Sequence, residues 1–242
     1  MKKVIFFLLV LSSYVVTSQE EQGYLLNASE LKIKPGHDAQ FTEGVQKFKT
    51  CYQENQGTDI WNIWKRIHGD GNVYVLTSTM ENWAELDKDQ EEQTEECQNI
   101  ARESIWPHIE SSSSSIARLM PNISKDNGGD MQVIYVTFFN VENAPEFLEI
   151  VKEVVTAMEE DQGEPRGIWY SFIGGAADAP DYMVSVPYDN FAGLDIDQDG
   201  PWEIMEKKHG KAKMEEMRNR FRNSVSHMWS YLYELKGDLS KQ

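Results

Sequence analysis

Residues 195 to 206, DIDQDGPWEIME, have the types and spacing that hold calcium. Asp195, Asp197 and Asp199 alternate, Gly200 stands where such a loop turns sharply, and Glu206 follows five intervening residues later. In that twelve-residue pattern carboxylate oxygens and one backbone carbonyl, here that of Pro201, surround a hard cation. A second reading needs no metal, because acids ahead of a helix stabilise its N-terminus through the helix dipole. A related stretch, DKDQEEQTEE, keeps Asp87, Asp89 and Glu91 but has Glu92 where the loop needs glycine. Calcium and an acidic lead-in to a helix both stand.

Other reactive groups form no set. There is no Gly-x-Ser-x-Gly, phosphate-binding glycine loop, His-Glu-x-x-His or paired-cysteine metal motif. His37 follows Pro35-Gly36 at a helix start, whereas His108 and His227 come late in helical patterns and are the better placed to ligate iron. Trp61, Trp64, Tyr74, Trp169, Tyr170, Phe172 and Tyr182 could line an apolar ligand pocket between sheet and helices, or simply fill a core. The serines from 111 to 115 read as a linker or the approach to a strand. Lys207, Lys211, Arg218 and Arg222 read as a solvated helix face.

The chain opens MKKVIFFLLVLSSYVVTSQ, two lysines followed by a short apolar run and small residues, the pattern of an exported leader cleaved after Ser18. No later stretch approaches the ~20 apolar residues of a membrane-spanning helix. Loss of residues 1–18 removes Lys2 and Lys3 and no acid, taking the formal charge from −17 to −19. A field of that sign repels nucleic acid and anionic membranes. The expected location is periplasmic or extracellular, in a bacterium, where Cys51 and Cys97 could be joined or could equally remain small buried thiols.

Elements that would position these groups appear twice. At a constant shift of 108, residues 60–90 and 168–198 share ten of thirty-one positions, among them Trp61/Trp169, Tyr74/Tyr182, Asn82/Asn190 and Asp87/Asp195. Alternating apolar residues in QVIYVTFFNV mark a strand, and Phe41, Val45, Phe48 and Tyr52 keep the spacing of one helix face, as do Phe147, Val151, Val154 and Met158. Each copy reads βαββαβ, with a first unit over 19–124, a linker over 125–130 and a second unit over 131–242. In IWNIWKRI, Trp61, Ile63 and Ile67 fall on one face and Ile60 and Trp64 on the other. Both faces of the sheet are therefore apolar, and the second is buried if the two sheets stack in cis.

The KPGHDAQFTEGVQKF strand-to-helix passage, the tryptophan-bearing second strand and the ENWAELDKD and DNFAGLDID segments resemble the dimeric α/β-barrel superfamily, which includes antibiotic-biosynthesis-type and haem-degrading monooxygenases. The resemblance implies an α+β fold: two tandem ferredoxin-like repeats forming an intramolecular barrel. Haem is not expected, since none of His37, His68, His108, His209 and His227 falls in a matching ligand set. The expected role is non-catalytic binding of a small hydrophobic molecule, or a stress-related function, in an exported protein. The alternatives are a monooxygenase-like enzyme and a structural or interaction protein.

Overall fold

The computed structural model describes residues 23–87, 95–126 and 131–242. The expected leader therefore lies outside the described residues, as do Asp89, Glu91 and Glu92. The first unit runs β1 (Leu25–Ile33), α1 (Asp38–Glu54), β2 (Asn62–Arg66), β3 (Asn72–Met80), α2 (Glu95–Ser104) and β4 (Ile109–Leu119). The second runs β5 (Val133–Val141), α3 (Ala144–Gln162), β6 (Ile168–Gly174), β7 (Tyr182–Tyr188), α4 (Pro201–His209), α5 (Lys211–Ser224) and β8 (Val225–Leu235). The expected long second helix of this unit is divided, because Gly210 takes φ +82° between α4 and α5, a conformation that favours glycine.

All eight strands form one closed barrel in the order β1-β3-β2-β8-β5-β7-β6-β4. Each unit contributes a contiguous half, and the halves meet where β2 pairs with β8 and β4 pairs with β6. Every neighbour is antiparallel, so β2 and β6 run the same way and the β2–β3 and β6–β7 hairpins close the same end. The serines from 111 to 115 are not a linker: they belong to β4, paired along β1 from Lys32↔Ser111 to Ala28↔Ser115. Small hydroxyl residues disguise the period-two pattern by which a strand is recognised.

The outward faces of the strands carry the helices. Under α1, Phe41, Val45 and Tyr52 pack on Ile33, Trp61, Ile63 and Tyr74. Under α3, Phe147, Val151 and Val155 pack on Phe139 and Trp169. Gly44 is needed where α1 meets the end of α2, since a Cβ there would lie 2.0 Å from the Ser104 carbonyl oxygen. Cys51 and Cys97 are disulfide-bonded across these two helices, with Cα atoms 5.7 Å apart.

Each unit also completes the other's core. After β8 the chain returns to the first unit, where Trp61 exchanges both backbone hydrogen bonds with Lys241 at 2.9 Å and Trp61 Nε1 donates to the Leu239 carbonyl at 3.1 Å. After β4 it crosses to the second unit, where Met120 N donates to Trp169 O at 2.9 Å and Trp169 N donates to Ser124 Oγ at 2.8 Å. Leu239 and Ile123 are buried in the cores so reached.

Two stability measurements follow from this packing. Leu239→Ala, which empties a fully buried site supplied by the far end of the chain, should lower the urea-unfolding free energy by about 2–5 kcal/mol. Reducing the disulfide, or Cys97→Ala, should cost about 2–4 kcal/mol by the same measurement, because it frees a 46-residue loop in the unfolded chain.

Candidate functional site

The barrel interior holds a cavity of about 410 Å³. Strand alternation decides which side chains reach it. On β1 these are Leu26, Ala28 and Glu30; on β2, Asn62, Trp64 and Arg66; on β3, Val75, Thr77 and Thr79; on β4, Ser113 and Ser115. The other half supplies Ile134, Val136 and Phe138 from β5, Ile168, Tyr170 and Phe172 from β6, Met183 and Ser185 from β7, and Trp229, Tyr231 and Tyr233 from β8.

The two halves of this wall differ in kind. Corresponding inward positions can be matched because Ser29 pairs with Ser114 as Thr137 pairs with Ser230. Glu30 then matches Phe138, Asn62 matches Tyr170, and Arg66 matches Gly174; Ser113, Ser115 and Ala117 match Trp229, Tyr231 and Tyr233. At most of these matched positions the first unit presents a small or polar group where the second presents a ring, although Leu26, Trp64 and Val75 keep part of the first unit's wall apolar. The open volume is what remains when bulky rings from one half meet serine and alanine from the other.

Polar contacts within the wall are few. Trp64 Nε1 donates to Thr77 Oγ1 at 3.1 Å, and the Tyr24 and Tyr170 hydroxyls are hydrogen-bonded at 2.8 Å. Asn62 Oδ1 and Arg66 Nε are buried without a partner. Arg66 lies at the hairpin end, its guanidinium 4.4 Å from the centre of the Tyr231 ring. Burial pushes the Tyr233 hydroxyl up, with the Glu30 charge adding to the effect, so it remains a neutral phenol.

The structure divides the seven aromatic residues expected in a pocket. Trp64, Tyr170 and Phe172 line the cavity, and Trp61 borders it while its indole packs edge-on against Tyr52 at 5.3 Å. Tyr74, Trp169 and Tyr182 do not reach it. Tyr74 packs on Phe41 at 5.0 Å and donates its hydroxyl to Asp38 Oδ1 at 2.8 Å, while Tyr182 stacks on Phe147 at 5.1 Å and Trp169 on Phe139 at 5.7 Å. The pocket also lies between the two half-sheets and not between sheet and helices. Arg66, Glu30, Asn62, Phe138, Trp229, Tyr231 and Tyr233 were not singled out by sequence, although Asn62 and Arg66 alternate in phase with Trp64.

Residues 195–206 do not converge on a cation. Asp195 ends a short 3₁₀ turn, Phe191–Asp195, and Gly200 precedes α4 with Pro201 as its first residue. Glu203 Oε2 accepts from Gly200 N at 2.7 Å, and Asp199 is ion-paired with Lys207. Among the described residues no three His, Cys, Asp or Glu side chains gather to hold a metal. The acids lead into a helix, where Asp199 is ion-paired with Lys207 and Glu203 caps the Gly200 N–H.

Haem, which the superfamily resemblance raises, finds no donor set around the cavity. An axial ligand is required, and none of the five histidines lines the cavity. Neither His108 nor His227 is on an α-helix: His108 ends a 3₁₀ helix and shares a 2.8 Å hydrogen bond between Nδ1 atoms with His37, and His227 lies on β8 stacked on Trp229 at 5.0 Å. His68 Nε2 accepts from Leu232 N. The spaces under α1 and α3 are filled by fully buried Phe41, Phe147 and Ile150. The residues do not fit haem.

No protein-family model and no curated protein matches the sequence. Solved structures do match the fold: a monooxygenase-like protein from Lactobacillus acidophilus NCFM (TM-score 0.54, 12% identity, 88% of this chain and 94% of that one) and an anthrone oxidase-like protein (TM-score 0.52, 10% identity, 90% and 92%). A mutant chlorite dismutase from Candidatus Nitrospira defluvii is similar to the same degree (TM-score 0.52, 10% identity, 90% and 93%). The chain thus has the ferredoxin-like α/β-barrel architecture of these proteins. No helix among the described residues is long and apolar enough to cross a membrane.

The arrangement around residues 195–206 gives a direct expectation for metal dependence. Chelator, added calcium and Asp195→Ala should each leave the melting temperature of the purified protein unchanged in a calorimetric scan. A calcium-dependent rise that Asp195→Ala removes would contradict the ion-paired helix lead-in.

Proposed function

We propose that the protein is an exported binder of a small, largely apolar molecule held inside the barrel. The observation that carries the reading is the cavity of about 410 Å³, with Phe138, Tyr170, Phe172 and Trp229 along one side. A space of this size, mostly apolar with a few polar groups, is typical of ligand sites. Export is supported by the leader-like first eighteen residues and by the Cys51–Cys97 disulfide, which persists in oxidising compartments.

A second reading, turnover of the bound molecule with oxygen, is favoured by the Tyr24–Tyr170 hydroxyl pair on the cavity wall. It is also the activity suggested by the names of the monooxygenase-like and anthrone oxidase-like neighbours. Oxygen uptake that depends on the bound compound would select this reading; binding without uptake selects the first.

The test uses N-phenyl-1-naphthylamine, a neutral probe that fluoresces in apolar surroundings. Its emission should rise and saturate at one probe per chain, and Ala28→Trp, which places a large ring in the cavity, should abolish the rise while the circular dichroism spectrum is kept. No saturable rise, or an equal rise in Ala28→Trp, would overturn the reading.

A further inference from the structure

The chemistry of the occupant can be taken a step further, on the reading that the barrel interior binds a ligand. Arg66 ends β2 on the inward face, where its side chain is only 6% exposed. One terminal nitrogen donates to the Asp70 carbonyl. The other lies 3.8 Å from Glu30 Oε1, beyond hydrogen-bonding distance, and Glu30 is itself 45% exposed. Nε has no partner, and the flat face of the guanidinium rests on Tyr231.

A buried cation surrounded this way is incompletely compensated, which is costly in a water-poor interior. Guanidinium presents parallel N–H donors whose geometry matches a planar oxyanion. The facing wall offers no competing cation: the charged groups lining the cavity besides Arg66 are the acids Glu30 and Asp178. Glu30 occupies the approach to Arg66 loosely, with nearly half its side chain toward water, so it can be replaced there by an acid carried on a ligand.

We propose that the cavity takes an amphipathic monoanion, its carboxylate or similar oxyanion at Arg66 and its apolar body against Phe172, Trp229 and Tyr231. The polar groups around Arg66 then meet the head group and the second unit's rings meet the body. Arg66 fixes the ligand's orientation, and Glu30 sets how readily the head group enters.

The experiment compares two probes of nearly the same shape: 1-anilinonaphthalene-8-sulfonate, which is anionic, and the neutral N-phenyl-1-naphthylamine. Only signal that Ala28→Trp removes is counted. Arg66→Gln should weaken the anionic probe about tenfold or more, as expected for a lost charge-assisted hydrogen bond, and far more than it weakens the neutral probe. Glu30→Gln should act in the opposite direction, tightening the anionic probe severalfold with little effect on the neutral one. If Arg66 and Glu30 were merely a structural pair, both variants would weaken both probes together, and that result would overturn the proposal. Should Arg66→Gln not fold, Glu30→Gln decides: unchanged or weaker binding of the anionic probe refutes an anion site. If the neutral probe binds and the anionic one does not, the cavity reading stands and this proposal fails. If neither binds, both fail.

Discussion

Closure of the barrel is the constraint on which the rest depends. Each four-stranded half has two edges whose backbone groups need partners, and pairing β2 with β8 and β4 with β6 satisfies them within one chain. Once closed, the sheet has an inside and an outside that strand alternation cannot exchange without slipping register. The outside takes the helices. The inside receives side chains from all eight strands, and whether they fill it depends only on their sizes.

The crossing tails enforce this closure. Leu239 fills the core under α1 and Ile123 the core beside α3, each arriving from the opposite unit. Neither half therefore buries its own outward face unaided, so the seams, the helix layers and the cavity form one cooperative structure. The disulfide acts at a different level: it joins α1 to α2 beside the tight contact at Gly44, anchoring the layer from which the first unit's strands hang. A rigid barrel built this way can hold Arg66 and the aromatic wall in fixed relation, which loops alone could not.

Much of the architecture was legible in the sequence because two independent signals agreed. The 108-residue shift pointed to two similar units, and helical and strand periodicities pointed to the same element order in each, which the barrel's two halves follow apart from the divided helix α4–α5. The two faces of β2 were also readable, with Trp64 on one and Trp61 on the other. What alternation could not supply was which face looked into the barrel. Of the aromatic residues that could line a pocket or fill a core, Tyr74, Trp169 and Tyr182 do the second, packing beneath the helices, while Trp61 packs there and also borders the cavity. The β4 serines were missed because their backbone pairs like any strand while their side chains carry no apolar signal. At 195–206 a cation loop and an acidic lead-in to a helix were both written in the same spacing, and the structure sets those acids ahead of α4, with Asp199 ion-paired to Lys207 and Glu203 capping Gly200.

The difference between the two halves carries a physical implication for how such a chain acquires a site. Outward positions are tied to a helix layer packed at close to crystal density, where a change of even one methylene is felt, and here they keep matched rings in both copies. Inward positions face one another across an open space, so a small or polar residue in one half is tolerated opposite a large ring in the other. Glu30 at the position matched by Phe138, and Arg66 at the position matched by Gly174, put charge in the first unit's wall where the second unit has a ring or no side chain. A barrel with two identical halves would present the same groups twice about its axis, so a ligand lying across the cavity would meet the same group at either end. The asymmetry of the wall gives this cavity a direction across the barrel, which the proposed ligand needs in order to bind one way round.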